Sequence, residues 1–123
     1  MENRLTIADK KWLACALDSE GFICLRKTGY VVIGITNTNL DFLAECKRIF
    51  PYFKLRKKKL YFGKYVYEAR IDDIFSIRLL LKILKPYLII KKIKADEAIL
   101  FLSSKSPKKN WKINWGGVKK KNV

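Results

Sequence analysis

The segment Trp12-Leu13-Ala14-Cys15-Ala16-Leu17-Asp18-Ser19-Glu20-Gly21-Phe22-Ile23 constrains the fold more than any other: an apolar helical run ends on two carboxylates and a glycine. Asp9 is the expected N-cap, after which Trp12, Leu13, Ala16 and Leu17 fall at i, i+1, i+4 and i+5 of one apolar face. Ala14 and Cys15 carry little bulk, so a second helix can approach closely there, and this face is a candidate seam between two copies of the chain. Gly21 can take the backbone angles that end a helix, and Phe22-Ile23-Cys24-Leu25 then reads as a strand. Periodicity alone leaves two readings of Asp18 and Glu20. They hold a metal ion at a fixed point, or they are the water-facing end of an ordinary amphipathic helix.

The rest of the chain repeats one pattern, a hairpin followed by a helix. Phe22 to Lys27 and Tyr30 to Thr36 form strands around Thr28-Gly29, with Val31, Ile33 and Ile35 alternating against Tyr30, Val32 and Gly34. Thr36-Asn37-Thr38-Asn39 supplies cap chemistry for a second helix whose Phe42, Leu43, Cys46 and Ile49 recur at helical spacing up to Pro51. The pattern restarts with a strand from Phe53 to Phe62, a turn near Gly63 and a strand from Tyr65 to Ile71. Alternation sets Lys54, Arg56 and Lys58 on one face of the first of these, and Tyr65, Tyr67, Ala69 and Ile71 on the apolar face of the second. Asp72-Asp73 opens a third helix, Ile74 to Leu84, with acids at its positive end; Pro86 stops it, and Lys92 to Leu102 makes a fourth. Four strands with helices along one face define an α+β unit over residues 1–103.

Charge and residue inventory narrow the chemistry. In 123 residues, 27 Lys and Arg face 11 Asp and Glu, a formal net charge of +16, so the natural partner is a polyanion. Nucleic acid fits better than membrane, because no apolar run reaches the roughly 18 residues of a spanning helix. No signal-peptide pattern interrupts the charged N-terminus, which predicts an intracellular chain. Cys15, Cys24 and Cys46 lie within apolar patterns and lack zinc-site spacing, so they read as small buried hydrophobes of a reducing compartment. The chain has no His, which excludes His general bases, His metal ligands and Ser-His or Cys-His nucleophiles. Hydrolysis of a phosphodiester would therefore rest on carboxylate-held metal, lysine and water. Residues 104–123 contain no acid, and Trp111, Ile113 and Trp115 alternate there; the segment is either a basic tail on a nucleic-acid backbone or a frayed terminus.

Leu13-Ala14-Cys15-Ala16-Leu17-Asp18-Ser19-Glu20-Gly21 resembles the signature of the LAGLIDADG homing endonucleases. Leu13, Ala14, Asp18 and Gly21 coincide with it, Leu17, Ser19 and Glu20 are close replacements, and Cys15 for Gly and Ala16 for Leu depart from it. The order of helix, hairpin, helix, hairpin and helices is also that family's order. The resemblance implies an αββαββα fold with a saddle-shaped four-stranded antiparallel sheet whose open side lies on double-stranded DNA. On that side it would place Phe22, Cys24, Arg26 and Thr28; Tyr30, Val32 and Gly34; Lys54, Arg56 and Lys58; and Glu68 and Arg70. Arg suits bidentate reading of guanine edges, and the lysines suit phosphates. The run Lys57-Lys58-Lys59 also reads as a charged edge that blocks strand pairing.

The same resemblance implies the site. Glu20 takes the position of the acid that binds Mg2+, or another divalent cation such as Mn2+, with the backbone carbonyl of Ser19 as a further ligand. Asp18 takes a supporting role, Asn37 positions catalytic water, and Lys91 rather than Lys92 is the active-site lysine. Asp41 stands where some members carry a basic residue. One motif copy implies a homodimer joined through Trp12, Leu13, Ala14, Cys15 and Leu17, which brings both Glu20 side chains to the two-fold axis over a pseudo-palindromic target. Cys15 would hold the two helices slightly farther apart than glycine. The implied activity is that of an intron-encoded, site-specific double-strand DNA endonuclease. The alternatives are a non-catalytic binder with the same saddle, either an RNA splicing maturase or a transcriptional regulator, and, as a weaker reading, a general basic nucleic-acid or ribosome-associated protein.

Overall fold

A computed structural model describes residues 5–60 and 62–103; the expected tail at 104–123 lies outside them. In chain order the elements are α1 (Ile7–Glu20), β1 (Gly21–Leu25), β2 (Val31–Asn37), α2 (Leu40–Ile49), β3 (Lys54–Lys59), β4 (Tyr65–Ile71), α3 (Ile74–Leu84) and α4 (Lys92–Ser103). A single 3-10 turn, Lys85–Tyr87, joins the last two helices, with Pro86 inside it. The four strands form one antiparallel sheet in the order β1-β2-β4-β3. Both hairpins close on a glycine with positive φ, 99° at Gly29 and 89° at Gly63, a conformation other residues rarely adopt. Among the described residues no helix is long and apolar enough to cross a membrane.

The inner face of the sheet meets the helices. Ile33 and Ile35 of β2 and Ala69 and Ile71 of β4 are buried with Leu13 and Leu17 of α1, Leu43 and Cys46 of α2, and Leu80, Leu81 and Leu84 of α3. Phe50 and Phe53 plug the bend between α2 and β3 in an edge-to-face pair with centroids 5.6 Å apart. Burial pushes the Cys46 thiol up to about 12, in keeping with a small apolar core residue. Asp73 caps α3 by accepting from Ser76 N–H at 2.9 Å, as the acid pair at 72 and 73 predicts.

The structure changes three local expectations. The N-cap of α1 is Thr6, whose Oγ1 accepts from Asp9 N–H at 2.9 Å. Asp9 sits three residues on and pairs with Arg48 of α2 at 3.0 Å, so it ties α1 to α2. Arg48, the strongest influence on it, holds the Asp9 carboxyl below its ordinary 3.8. Gly21 ends α1 with φ −113° and ψ −179°, extended angles open to any residue. What demands glycine there is space: a Cβ would lie 2.8 Å from both the Gly34 and the Leu17 carbonyl oxygens. Finally, Leu13, Ala14 and Leu17 are 0% exposed within their own subunit, so they are core and cannot meet a partner. The side of α1 that remains exposed is a stripe of Ala8, Lys11, Trp12, Cys15 and Ser19.

Candidate active site

The register gathers the predicted catalytic residues at one end of the sheet. Gly21 opens β1 opposite Ile35 of β2, so Glu20, the last residue of α1, stands beside the end of β2 where Thr36 and Asn37 lie. Glu20 is exposed, and no ion pair or side-chain hydrogen bond engages its carboxylate among the described residues. Asn37 Oδ1 accepts from Asn39 N–H at 2.8 Å, and Asn39 Oδ1 in turn accepts from Asp41 N–H at 2.8 Å. These nested turns fix the Asn37 amide with its oxygen occupied, which leaves the NH2 donors for other partners. Asp41 occupies the first turn of α2, where its charge complements the helix dipole.

Asp18 and Lys91 lock the C-terminal end of α1 to the segment leading into α4. Asp18 Oδ2 accepts from Ile89 N–H at 2.8 Å and Oδ1 from Lys91 N–H at 2.9 Å. Lys91 Nζ donates to the Asp18 carbonyl oxygen at 2.7 Å, satisfying one of the orphan acceptors of the helix end. Burial works to raise the Asp18 carboxyl, but the backbone N–H groups of Ile89, Lys91 and Ile90, with the Lys91 charge, outweigh it and hold the group below 3.8. Lys91 is half-buried, whereas Lys92 is exposed on the first turn of α4. With two further N–H bonds available, the Lys91 ammonium sits at the same helix end that carries Glu20.

The outer face of the sheet is built in rows across the strands. Phe22, Gly34, Arg70 and Lys54 share one register row, and Thr36, Glu68 and Arg56 share the next. Lys54 and Arg56 are exposed, Arg70 is half-exposed, and Arg26, Thr28 and Tyr30 are exposed at the β1–β2 turn. Two expected contacts are corrected. Val32 is 2% exposed, packed in a strand buried on both faces, so it cannot read a ligand. Glu68 is 1% exposed beneath Arg56 and Lys58, with Arg56 Nε 3.4 Å from Oε1 and Lys58 Nζ 3.5 Å from Oε2. Phe22 lies directly over Gly34, where a Cβ would come within 2.5 Å of its Cζ, so the centre of the face is an aromatic lid. Thr36, half-buried beside Glu68, also belongs to the face, one step of alternation beyond Gly34.

Among the described residues no group of three Asp, Glu, Cys or His side chains converges to hold a metal ion. At this end of the sheet Glu20 offers an exposed carboxylate with no side-chain partner among the described residues, a hard oxygen donor of the type Mg2+ and Ca2+ accept.

The architecture is the LAGLIDADG homing endonuclease fold. I-CvuI, solved in complex with its target in the presence of Ca, superposes with a TM-score of 0.63 at 20% identity, covering 80% of this chain and 69% of that one. The archaeal intron-encoded homing endonuclease I-Vdi141I, complexed with DNA, gives 0.57 at 16% identity over 78% of this chain and 65% of that one. I-SmaMI, bound to cleaved DNA, gives 0.58 at 20% identity, covering 80% of this chain but 36% of its own. No protein-family profile matches the chain, and no curated protein matches it in sequence.

Proposed function

We propose that the chain is a divalent-metal-dependent, site-specific endonuclease of the homing type that acts on double-stranded DNA as a homodimer. The observation that carries this reading is Glu20: an exposed, unpaired carboxylate at the end of an anchored helix, on a fold shared with I-CvuI and I-Vdi141I, which were solved in complex with DNA. Glu20 and the Ser19 carbonyl would hold the metal, and the site would be completed by the second subunit and by phosphate oxygens. When bound, such a metal supplies Lewis-acid activation of phosphate and lowers the pKa of bound water.

The protein's own groups do the rest. Asp18 and Lys91 fix where Glu20 stands, Lys91 places positive charge beside the reacting phosphate, and the Asn37 NH2 orients water at the end of β2. The subunits would meet through the exposed stripe of α1, with Cys15 nearest the two-fold axis. Mild oxidation tests that seam, since two Cys15 residues facing across the axis would give a disulfide-linked dimer that Cys15→Ser abolishes.

Cleavage of a random DNA library in Mg2+ by the wild-type chain and by Glu20→Gln tests the activity. We expect nicking and cutting by wild type and none by Glu20→Gln, with binding retained by both. If Glu20→Gln cuts as well as wild type, the catalytic assignment is wrong. Binding with no cleavage on any sequence would favour the non-catalytic binder.

A further inference from the structure

Glu68 is an acid set among the cations Arg56, Lys58 and Arg70 on the outer face, and its position is unusual in three respects. It is 1% exposed, its Oε1 receives no hydrogen bond, and two cations lie over it. A buried carboxylate oxygen without a hydrogen bond is costly, so the site is organised around the charges and not around packing. Arg56 is its direct register partner on β3, and Lys58 lies diagonally two residues on. Both cationic side chains remain open to solvent, at 53% and 42%, while the acid between them stays covered.

The geometry of the Arg56 contact has a chemical consequence. The closest approach of the guanidinium to Glu68 is through Nε, 3.4 Å from Oε1. An arginine whose Nε side is drawn toward a buried carboxylate by charge can turn its Nη1 and Nη2 edge outward, which is the edge that donates two parallel hydrogen bonds to the O6 and N7 of a guanine. An untethered arginine on the same strand would find phosphates as readily as bases, because its charge is its only constraint.

We infer that Glu68 is a positioning residue for sequence discrimination: it does not touch DNA, but holds Arg56 for bidentate reading of guanine and lowers the indiscriminate phosphate affinity of the face. The inference rests on the DNA-binding reading above. It predicts opposite effects on two quantities. Removing the negative charge raises non-specific affinity and steepens its salt dependence, by up to about 0.9 in the log-log slope for one added phosphate contact. Freeing the arginine lowers guanine preference at the position it faces, by roughly 5- to 100-fold if the bidentate pair is lost.

The test uses the full chain, a random duplex library sequenced after selection, and a non-specific duplex titrated at several salt concentrations, in Ca2+ to prevent cutting. Glu68→Gln should bind the non-specific duplex more tightly than wild type while its selected guanine preference weakens. Arg56→Ala should lose the same preference, and adding Glu68→Gln to it should cost no more. A residue that merely supports the fold would lower specific and non-specific binding together, and that result overturns the inference. So does an unchanged guanine preference in Glu68→Gln. Failure of wild type to bind any duplex would instead defeat the DNA-binding reading itself.

Discussion

Replacing Asp18 by Ala should loosen the end of α1 by an amount that can be worked from its contacts. The carboxylate accepts from two backbone N–H groups, Ile89 at 2.8 Å and Lys91 at 2.9 Å. Hydrogen bonds to a charged group contribute about 1.5–3 kcal/mol each, but water can reach the exposed Ile89 N–H once the acid is gone. A total loss of about 2–3 kcal/mol follows from the lower end of that range. At about 4 °C per kcal/mol for a domain of this size, Tm should fall by about 8–12 °C. Asp18→Asn keeps one acceptor oxygen and should lose about half as much.

The pH dependence carries an independent sign. The folded Asp18 carboxyl is depressed below 3.8, so its stabilisation is complete above the unfolded value and is lost as pH falls through the folded one. The gap between wild type and Asp18→Asn in urea denaturation should therefore stay level from pH 7 to 5 and narrow below about pH 4. A penalty under about 0.5 kcal/mol for Asp18→Ala, or a gap that does not narrow in acid, would refute the anchoring role.

Other expectations are simpler to check. Gly21→Ala forces a Cβ against the Gly34 and Leu17 carbonyls and should destabilise by about 1–3 kcal/mol in chemical denaturation, whereas Gly34→Ala should be milder because Phe22 can swing aside. In a thiol titration at pH 8 Cys46, pushed up to about 12 and buried, should react only on unfolding. Val32→Ala should lower stability by about 0.5–2 kcal/mol without altering sequence preference, since Val32 is 2% exposed.

The fold was legible because both hairpins and all four helices announce themselves locally, through Val31-Ile33-Ile35, Tyr67-Ala69-Ile71, the Asn39 and Asp73 caps and the Gly29 and Gly63 turns. What was not legible depends on neighbours in space. Alternation puts Val32 and Glu68 on the outer face correctly, but their burial is decided by the adjoining strands, where Arg56 and Lys58 cover the acid. Ala14 and Cys15 of α1 read as a seam, yet Ala14 serves the subunit's own core, and of the two only Cys15 faces out. Asp9 carries cap chemistry in the sequence, but it works three residues inside the helix while the Thr6 hydroxyl takes the cap. Lys91 and Lys92 are neighbours in the chain with equal charge, and what separates them, the half-burial of Lys91 and its two hydrogen bonds to Asp18, depends on a residue more than 70 positions away.

The bond between Asp18 and residues 89 to 91 also sets an order of events during synthesis. The helix that ends in Glu20 is made early, but its clamp lies 71 and 73 positions further along the chain. Closing so long a loop is slow relative to forming either hairpin, so the hairpins should be complete before the end of α1 is fixed. A nascent chain would thus display its basic sheet before the Glu20 carboxylate is set in place.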